Sequence, residues 1–240
     1  MIILAVETSA RVASVALSKD GYILAEFTLN NKMTHSKALM PLIEEMLSSL
    51  ELEISEVDVF AVSEGPGSFT GLRIGVSTVK AFAYTLDKPI IMVSTLEALA
   101  YNVYPNAKKV CAIMDARNNQ VFGGVFKAVK ERYVLDGESF AIDIEALLEK
   151  LKIQDEEVVF VGDGAILHQE IIKGKMSNLA KFPLGVNILQ RASLICHLAK
   201  LYYDEGYISD AYSASPFYLR KSSAQQQLER KKGSYGTKVN

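Results

Sequence analysis

The chain opens on an apolar, β-branched run over residues 2–17, broken only by the polar stretch Glu7-Thr8-Ser9-Ala10-Arg11. That pattern predicts strand, polar turn, strand; Asp20-Gly21 then marks a hairpin turn before a third strand over residues 22–29. Next come apolar residues at Leu39, Leu42, Ile43, Met46, Leu47 and Leu50, the three-to-four-residue spacing of an amphipathic helix. Pro41 near its start implies a loose first turn or a kink. A short buried strand over 57–62 runs into the glycine-rich stretch 65–71 and then a helix over about 72–86. Pro89 and a strand over 90–93 close this unit, giving the order β-β-β-α-β-α-β.

The second half begins the same pattern again. Residues 110–115 read as a strand ending in an acidic residue, followed by a polar turn and a return strand over 121–129. Placing Glu7 over Asp115 aligns Leu4-Ala5-Val6-Glu7 with Ala112-Ile113-Met114-Asp115. Further on, residues 158–161 and then Gly162-Asp163-Gly164 echo residues 59–62 and the Gly65-Pro66-Gly67 loop. Two matches in one order point to a duplicated α/β unit, with chance similarity between two α/β lobes as the alternative. A helix over about 188–205 carries Leu189, Ala192, Cys196, Ala199 and Tyr203 on one stripe, and Gly206 is placed to end it.

Composition narrows the class. Of the 240 residues 49% are apolar and 22% charged, a globular balance with room for one large domain or two lobes. The formal net charge is −2, so no overall positive field draws the chain to nucleic acid. The opening apolar run stops at Glu7, too short for a signal peptide, and nothing approaches the roughly 20 apolar residues of a membrane span. Cys111 and Cys196 sit in apolar surroundings and read as buried free thiols of a cytoplasmic protein, with a disulfide between them as the alternative. Neither CxxC nor HExxH occurs, and His35, His168 and His197 are far apart.

The loop 65–71 has the strongest chemical potential. Glycines admit positive φ and close backbone approach, and a glycine-rich turn feeding a helix gathers N–H groups suited to an anion. The alternative is a tight strand-to-helix connection with Ser68 or Thr70 as N-cap. Glu7, Asp115, Gly65 and Gly67 are therefore the candidate nucleotide or anion site. The turn 8–12 contains no glycine, which weakens any phosphate cradle there. Gly71 and Gly75, one turn apart, suggest a bare helix surface beside the stripe Leu72, Val76, Val79. With Leu39, Ile43 and Met46 on the preceding helix they are the candidate partner interface; the alternative is that both stripes pack on their own sheet. After Pro216 the chain turns polar and basic, six basic residues against Glu229.

The residues Leu4-Ala5-Val6-Glu7-Thr8-Ser9, His35-Ser36, the string from Gly65 to Gly75 (GPGSFTGLRIG), Asp115-Ala116-Arg117 with Gln120-Val121-Phe122, and Pro216-Phe217-Tyr218-Leu219-Arg220 resemble the TsaB (YeaZ) family over about residues 1–221. The resemblance implies an α/β fold of the actin-like ATPase (ASKHA) superfamily, two repeated β-β-β-α-β-α lobes: 1–103, 104–220, then a basic tail 221–240. It implies a non-catalytic subunit that pairs with TsaD, supports TsaE recruitment, and serves N6-threonylcarbamoylation of adenosine 37 in tRNAs reading ANN codons. A second copy would replace TsaD in its absence, tRNA contact would be indirect, and ATP or ADP would sit at a complex interface if anywhere. The rival is a weak nucleotide-binding or ATP-hydrolysing enzyme using the cleft between the lobes. The HxxxH metal motif of TsaD would fall on Thr95 and Leu99 here.

Overall fold

The computed structural model describes residues 1–31 and 33–220; the basic stretch expected over 221–240 lies outside them. The first sheet is built from β1 (Ile2–Glu7), β2 (Ala13–Lys19) and β3 (Tyr22–Leu29), as the opening pattern predicts. Helix α1 (His35–Ser49) follows, then β4 (Val59–Gly65), α2 (Phe69–Leu86), β5 (Ile90–Ser94) and α3 (Thr95–Tyr101). The strand order is β3-β2-β1-β4-β5, with β1 antiparallel to β2 and parallel to β4.

The second half comprises β6 (Lys109–Asp115), β7 (Gln120–Val129), β8 (Arg132–Leu135), β9 (Phe140–Asp143), α4 (Ile144–Lys152) and β10 (Val158–Val161). It closes with α5 (Asp163–Leu167), α6 (Gln169–Met176), β11 (Ala180–Lys181) and α7 (Ala192–Asp204). Its sheet runs β11-β10-β6-β7-β8, again with an antiparallel return strand and a parallel neighbour beside the first strand. Read from the opposite edge, the two orders are the same. Glu7 and Asp115 end equivalent strands, and Gly65, the last residue of β4, and Gly162, just after β10, stand at the ends of another equivalent pair, as a duplicated unit requires. The second copy differs by β9, an extra strand on β7, and by a helix broken into α5 and α6.

Alternation along each strand divides the interior into three cores. Leu4, Val6, Val15 and Leu17 face outward against Leu39, Ile43 and Met46 of α1 and Val76 and Val79 of α2. On the opposite sheet, Cys111, Ile113 and Phe160 pack on Leu147, Leu148 and Ile172 of α4 and α6. Between the sheets lies the central core of Ile3, Ala5, Ala16 and Ala61 with Ala112 and Met114 and with both α3 and α7. Small residues on the inner face let α7 approach closely: Cys196 Sγ lies 3.6 Å from the Ala16 carbonyl and 3.7 Å from that of Ile3.

The middle layer is exchanged between the halves. Helix α3, from the first half, covers β6 and β7, while α7, from the second, covers β1 and β2. A cut at 103/104 therefore separates the sheets but not the helices that cover them. Two ties hold the start of α7 on the first sheet: Glu26 on β3 accepts from Arg191 Nη2 (2.7 Å) and from the Ser193 N–H (2.8 Å), and Ser14 Oγ on β2 accepts from the Ala192 N–H (3.2 Å). Helix α7 begins at Ala192, later than its apolar stripe suggests, because Arg191 is extended and the Ile188 carbonyl accepts from Gly162 N–H.

Candidate functional site

Strands β1, β4, β6 and β10 all end at one edge, and their C-terminal turns enclose an open cleft of about 520 Å³. On the first-sheet side it is lined by Ser9, Arg11 and residues 66–70; opposite stand Asp115, Arg117, Phe122 and Asp163, with Tyr218 and Arg220 across the mouth. Ligand clefts in open α/β sheets form at such strand ends.

Of the four candidate site residues, the structure brings Asp115 and Gly67 to the cleft and sets Glu7 and Gly65 behind it. Glu7 is 1% exposed; its Oε1 accepts from the Ser9 N–H at 2.6 Å and its Oε2 has no hydrogen-bond partner among the described residues. Burial pushes its carboxyl above the ordinary range, and the neighbouring charge of Asp163 adds to the rise. Asp115 is exposed and accepts from the Arg117 N–H at 2.7 Å. Asp163, at the head of α5, is the residue that composition did not single out. Burial, with the charge of Asp115 beside it, raises its carboxyl from an ordinary 3.8 to about 6. Its signal was already present, since Gly162-Asp163-Gly164 follows the second copy of the glycine-loop strand.

The glycine loop is occupied by the chain itself. The Ser68 N–H donates to the Ser9 carbonyl at 2.6 Å, and a Cβ on Gly67 would lie 2.3 Å from that oxygen. Gly65, at φ +123°, admits the carbonyl of Phe217, 2.4 Å from where its Cβ would be. Ser68 caps α2, its Oγ accepting from the Gly71 N–H at 3.2 Å, so the helix starts at Phe69 rather than Leu72. The Ser68 N–H is thus used to dock the loop on the turn after β1, and the Gly71 N–H is taken by the Ser68 cap.

The interface residues read from the sequence require correction. Leu39, Ile43, Met46, Leu72, Val76 and Val79 are each at most 3% exposed, and all but Leu72 belong to the core between α1, α2 and the first sheet. Gly71 and Gly75 are also buried: a Cβ on Gly71 would stand 2.1 Å from the Thr8 carbonyl, and one on Gly75 2.3 Å from Thr8 Oγ1. The bare helix surface receives the chain's own Thr8, not another helix. The other sides of the two helices leave Met40, Glu44, Arg73, Ser77, Ala81 and Tyr84 exposed.

The strings that carried the resemblance meet around this cleft. His35 Nε2–H donates to the Ala10 carbonyl at 2.7 Å, tying α1 to the turn after β1. Arg220 donates to the Ala116 carbonyl (2.8 Å) and to Gln120 Oε1 (2.7 Å). Thr95 and Leu99 lie fully buried on α3. Among the described residues no helix is long and apolar enough to cross a membrane.

A family profile described as "TsaD: tRNA N6-adenosine threonylcarbamoyltransferase" matches residues 22–227. The "tRNA threonylcarbamoyladenosine biosynthesis protein TsaB" of Bacillus subtilis (strain 168) is 32% identical over 228 residues, covering 94% of this chain and 96% of its own. The protein of the same name from Escherichia coli (strain K12) is 30% identical over 232 residues, 95% of this chain and 98% of its own. A crystal structure from Pseudomonas aeruginosa, of a protein with similarity to peptidase YEAZ, superposes with a TM-score of 0.78 at 28% identity, covering 91% of this chain and 99% of that one. On matches of this extent, over nearly the full length of its relatives, the chain belongs to the TsaB family.

Proposed function

We propose that the chain is a non-catalytic subunit in the biosynthesis of threonylcarbamoyladenosine in tRNA, a cytoplasmic protein that docks a TsaD-type transferase and supports TsaE recruitment. Relatives named for this pathway cover 94% and 95% of it, and the Staphylococcus aureus (strain Newman) relative named tRNA N6-adenosine threonylcarbamoyltransferase is 34% identical over a 122-residue stretch. The observation that carries the non-catalytic reading is the docking of the glycine loop on Thr8 and Ser9: the Ser68 N–H bonds to Ser9, and the clearance left by Gly67 and Gly71 is filled by the carbonyls of Ser9 and Thr8. The positions of the HxxxH motif support it: Leu99 offers no donor atom, and Thr95 is fully buried in the central core.

The docking face is the exposed side of α1 and α2. Ser77 and Ala81 leave a shallow stripe between Arg73 and Tyr84, with Met40 and Glu44 across from it. In a reconstitution with TsaC, TsaD and TsaE, omission of the protein abolishes tRNA modification, and Ala81→Arg with Met40→Asp removes capture of TsaD while leaving the unfolding midpoint unchanged. Full modification without the protein, or normal TsaD capture by the double variant, would sink this reading. The same face would pair two copies when TsaD is absent.

One observation favours a second reading, nucleotide binding in the cleft: Asp115, Asp163 and three guanidinium groups, Arg11, Arg117 and Arg220, surround it. It requires ATP or ADP to bind the isolated protein and the affinity to fall on Asp115→Ala.

A further inference from the structure

After α7 the chain turns back along the first sheet and is fastened to it at every step. Ser209 and Ile90 exchange backbone hydrogen bonds, and Lys80 Nζ donates to the Ala214 carbonyl at 2.8 Å. The Phe217 N–H donates to the Glu64 carbonyl at 2.7 Å, with the bare Cα of Gly65 giving the Phe217 carbonyl its place. The Tyr218 ring lies 4.6 Å from that of Phe69, and Arg73 Nε donates to its hydroxyl at 3.2 Å. All of these anchors belong to β4, β5 or α2.

Two residues later the chain reaches the other side. The Arg220 guanidinium donates to Gln120 Oε1 and to the Ala116 carbonyl in the turn after β6, and lies 5.4 Å over the Phe122 ring. Among the residues lining the cleft, Arg220 alone makes side-chain hydrogen bonds from the first-sheet side to the second, among the described residues. Both acceptors are neutral, and no carboxylate pairs with Arg220 among the described residues. One end of the crossing is thus held by backbone pairing and ring stacking, the other, among the described residues, by two hydrogen bonds from one guanidinium to neutral acceptors.

We propose that residues 216–220 form a clasp across the cleft, with Phe217 and Tyr218 as its fixed end and Arg220 as its releasable catch. The clasp sets the separation of the two sheets at the cleft mouth, and Arg220 acts as a positioning residue for the turn 116–120. A glycine at position 65 follows from the same device, since any side chain there would displace the fixed end.

The test uses the full chain with spin labels at Glu45→Cys on α1 and Glu149→Cys on α4, both exposed, to measure the distance distribution between the halves. Arg220→Ala broadens that distribution and raises amide exchange at 116–120 several-fold, while exchange in β1 and β6 stays as in the parent. Gln120→Ala, which removes one of the two hydrogen bonds and no charge, gives an intermediate change. An unchanged distribution in Arg220→Ala overturns the clasp. So does exchange that rises equally in β1 and β6, which would make Arg220 a contributor to overall stability only.

Discussion

Gly75 and Thr8 touch where no side chain fits: a Cβ on Gly75 would lie 2.3 Å from Thr8 Oγ1, which is itself committed to the Gly71 carbonyl at 2.8 Å. The hydroxyl cannot swing away without breaking that bond, and Val62 and Val6 close the other sides at 3.4 and 3.5 Å. Overpacking of this kind costs about 1–3 kcal/mol, against a helix-propensity gain of about 1 kcal/mol for Gly→Ala. Gly75→Ala is therefore expected to be less stable than the parent, and Gly75→Leu to fail to fold. Urea unfolding reads the difference; a more stable Gly75→Ala would show that Thr8 does not hold the helix.

Acid strengthens the site. Asp163 has a folded pKa of about 6 against an ordinary 3.8, so between these values the folded chain binds more protons than the unfolded one. Stability contributed by this group is full below about pH 4 and is lost as pH rises to about 6, with a span on the order of 2–3 kcal/mol. Glu7 is shifted in the same direction, by burial first, and steepens the slope. Unfolding free energies measured from pH 4 to 7 should therefore show Asp163→Asn gaining on the parent as pH rises, then a constant difference. Parallel curves would contradict the raised carboxyl.

Glu26 joins the exchanged helix to the first sheet. Its side chain is 14% exposed and accepts both from Arg191 and from an N–H in the first turn of α7. Charge-assisted bonds at a helix N-terminus support a loss of about 1–3 kcal/mol in Glu26→Ala. Glu26→Gln should recover part of it. Thermal unfolding of the three proteins gives the order, and equal midpoints would reject the tie.

Both thiols should be silent in the native protein. Burial pushes Cys111 and Cys196 to about 12, and each is at most 1% exposed. Iodoacetamide at pH 8 is expected to leave the folded chain unlabelled and to add two groups in denaturant, counted by mass spectrometry. Labelling of either cysteine in the native state would mean that the core opens far more readily than its packing suggests.

Local order was legible in the residues. The three opening strands, α1 and the strand of residues 158–161 follow from hydrophobic period and turn chemistry, which act over a few neighbouring residues. Duplication was legible too, because equivalent strands must end in equivalent turns, which set Glu7 against Asp115 and Gly65 against Gly162. What faces what was not. A stripe such as Leu39, Ile43, Met46 states that a helix buries one side, but is silent on whether a sheet or a second protein covers it. Likewise a glycine states only that something approaches, and tertiary structure decided that Thr8 approaches Gly75 and Phe217 approaches Gly65. Asp163 owes its role to charges and burial brought from β6 and α5 into one cleft, and the crossing of α3 and α7 between the sheets depends on contacts far apart in the chain. Such contacts are set by how closed surfaces fit in space, which no local pattern along the sequence encodes.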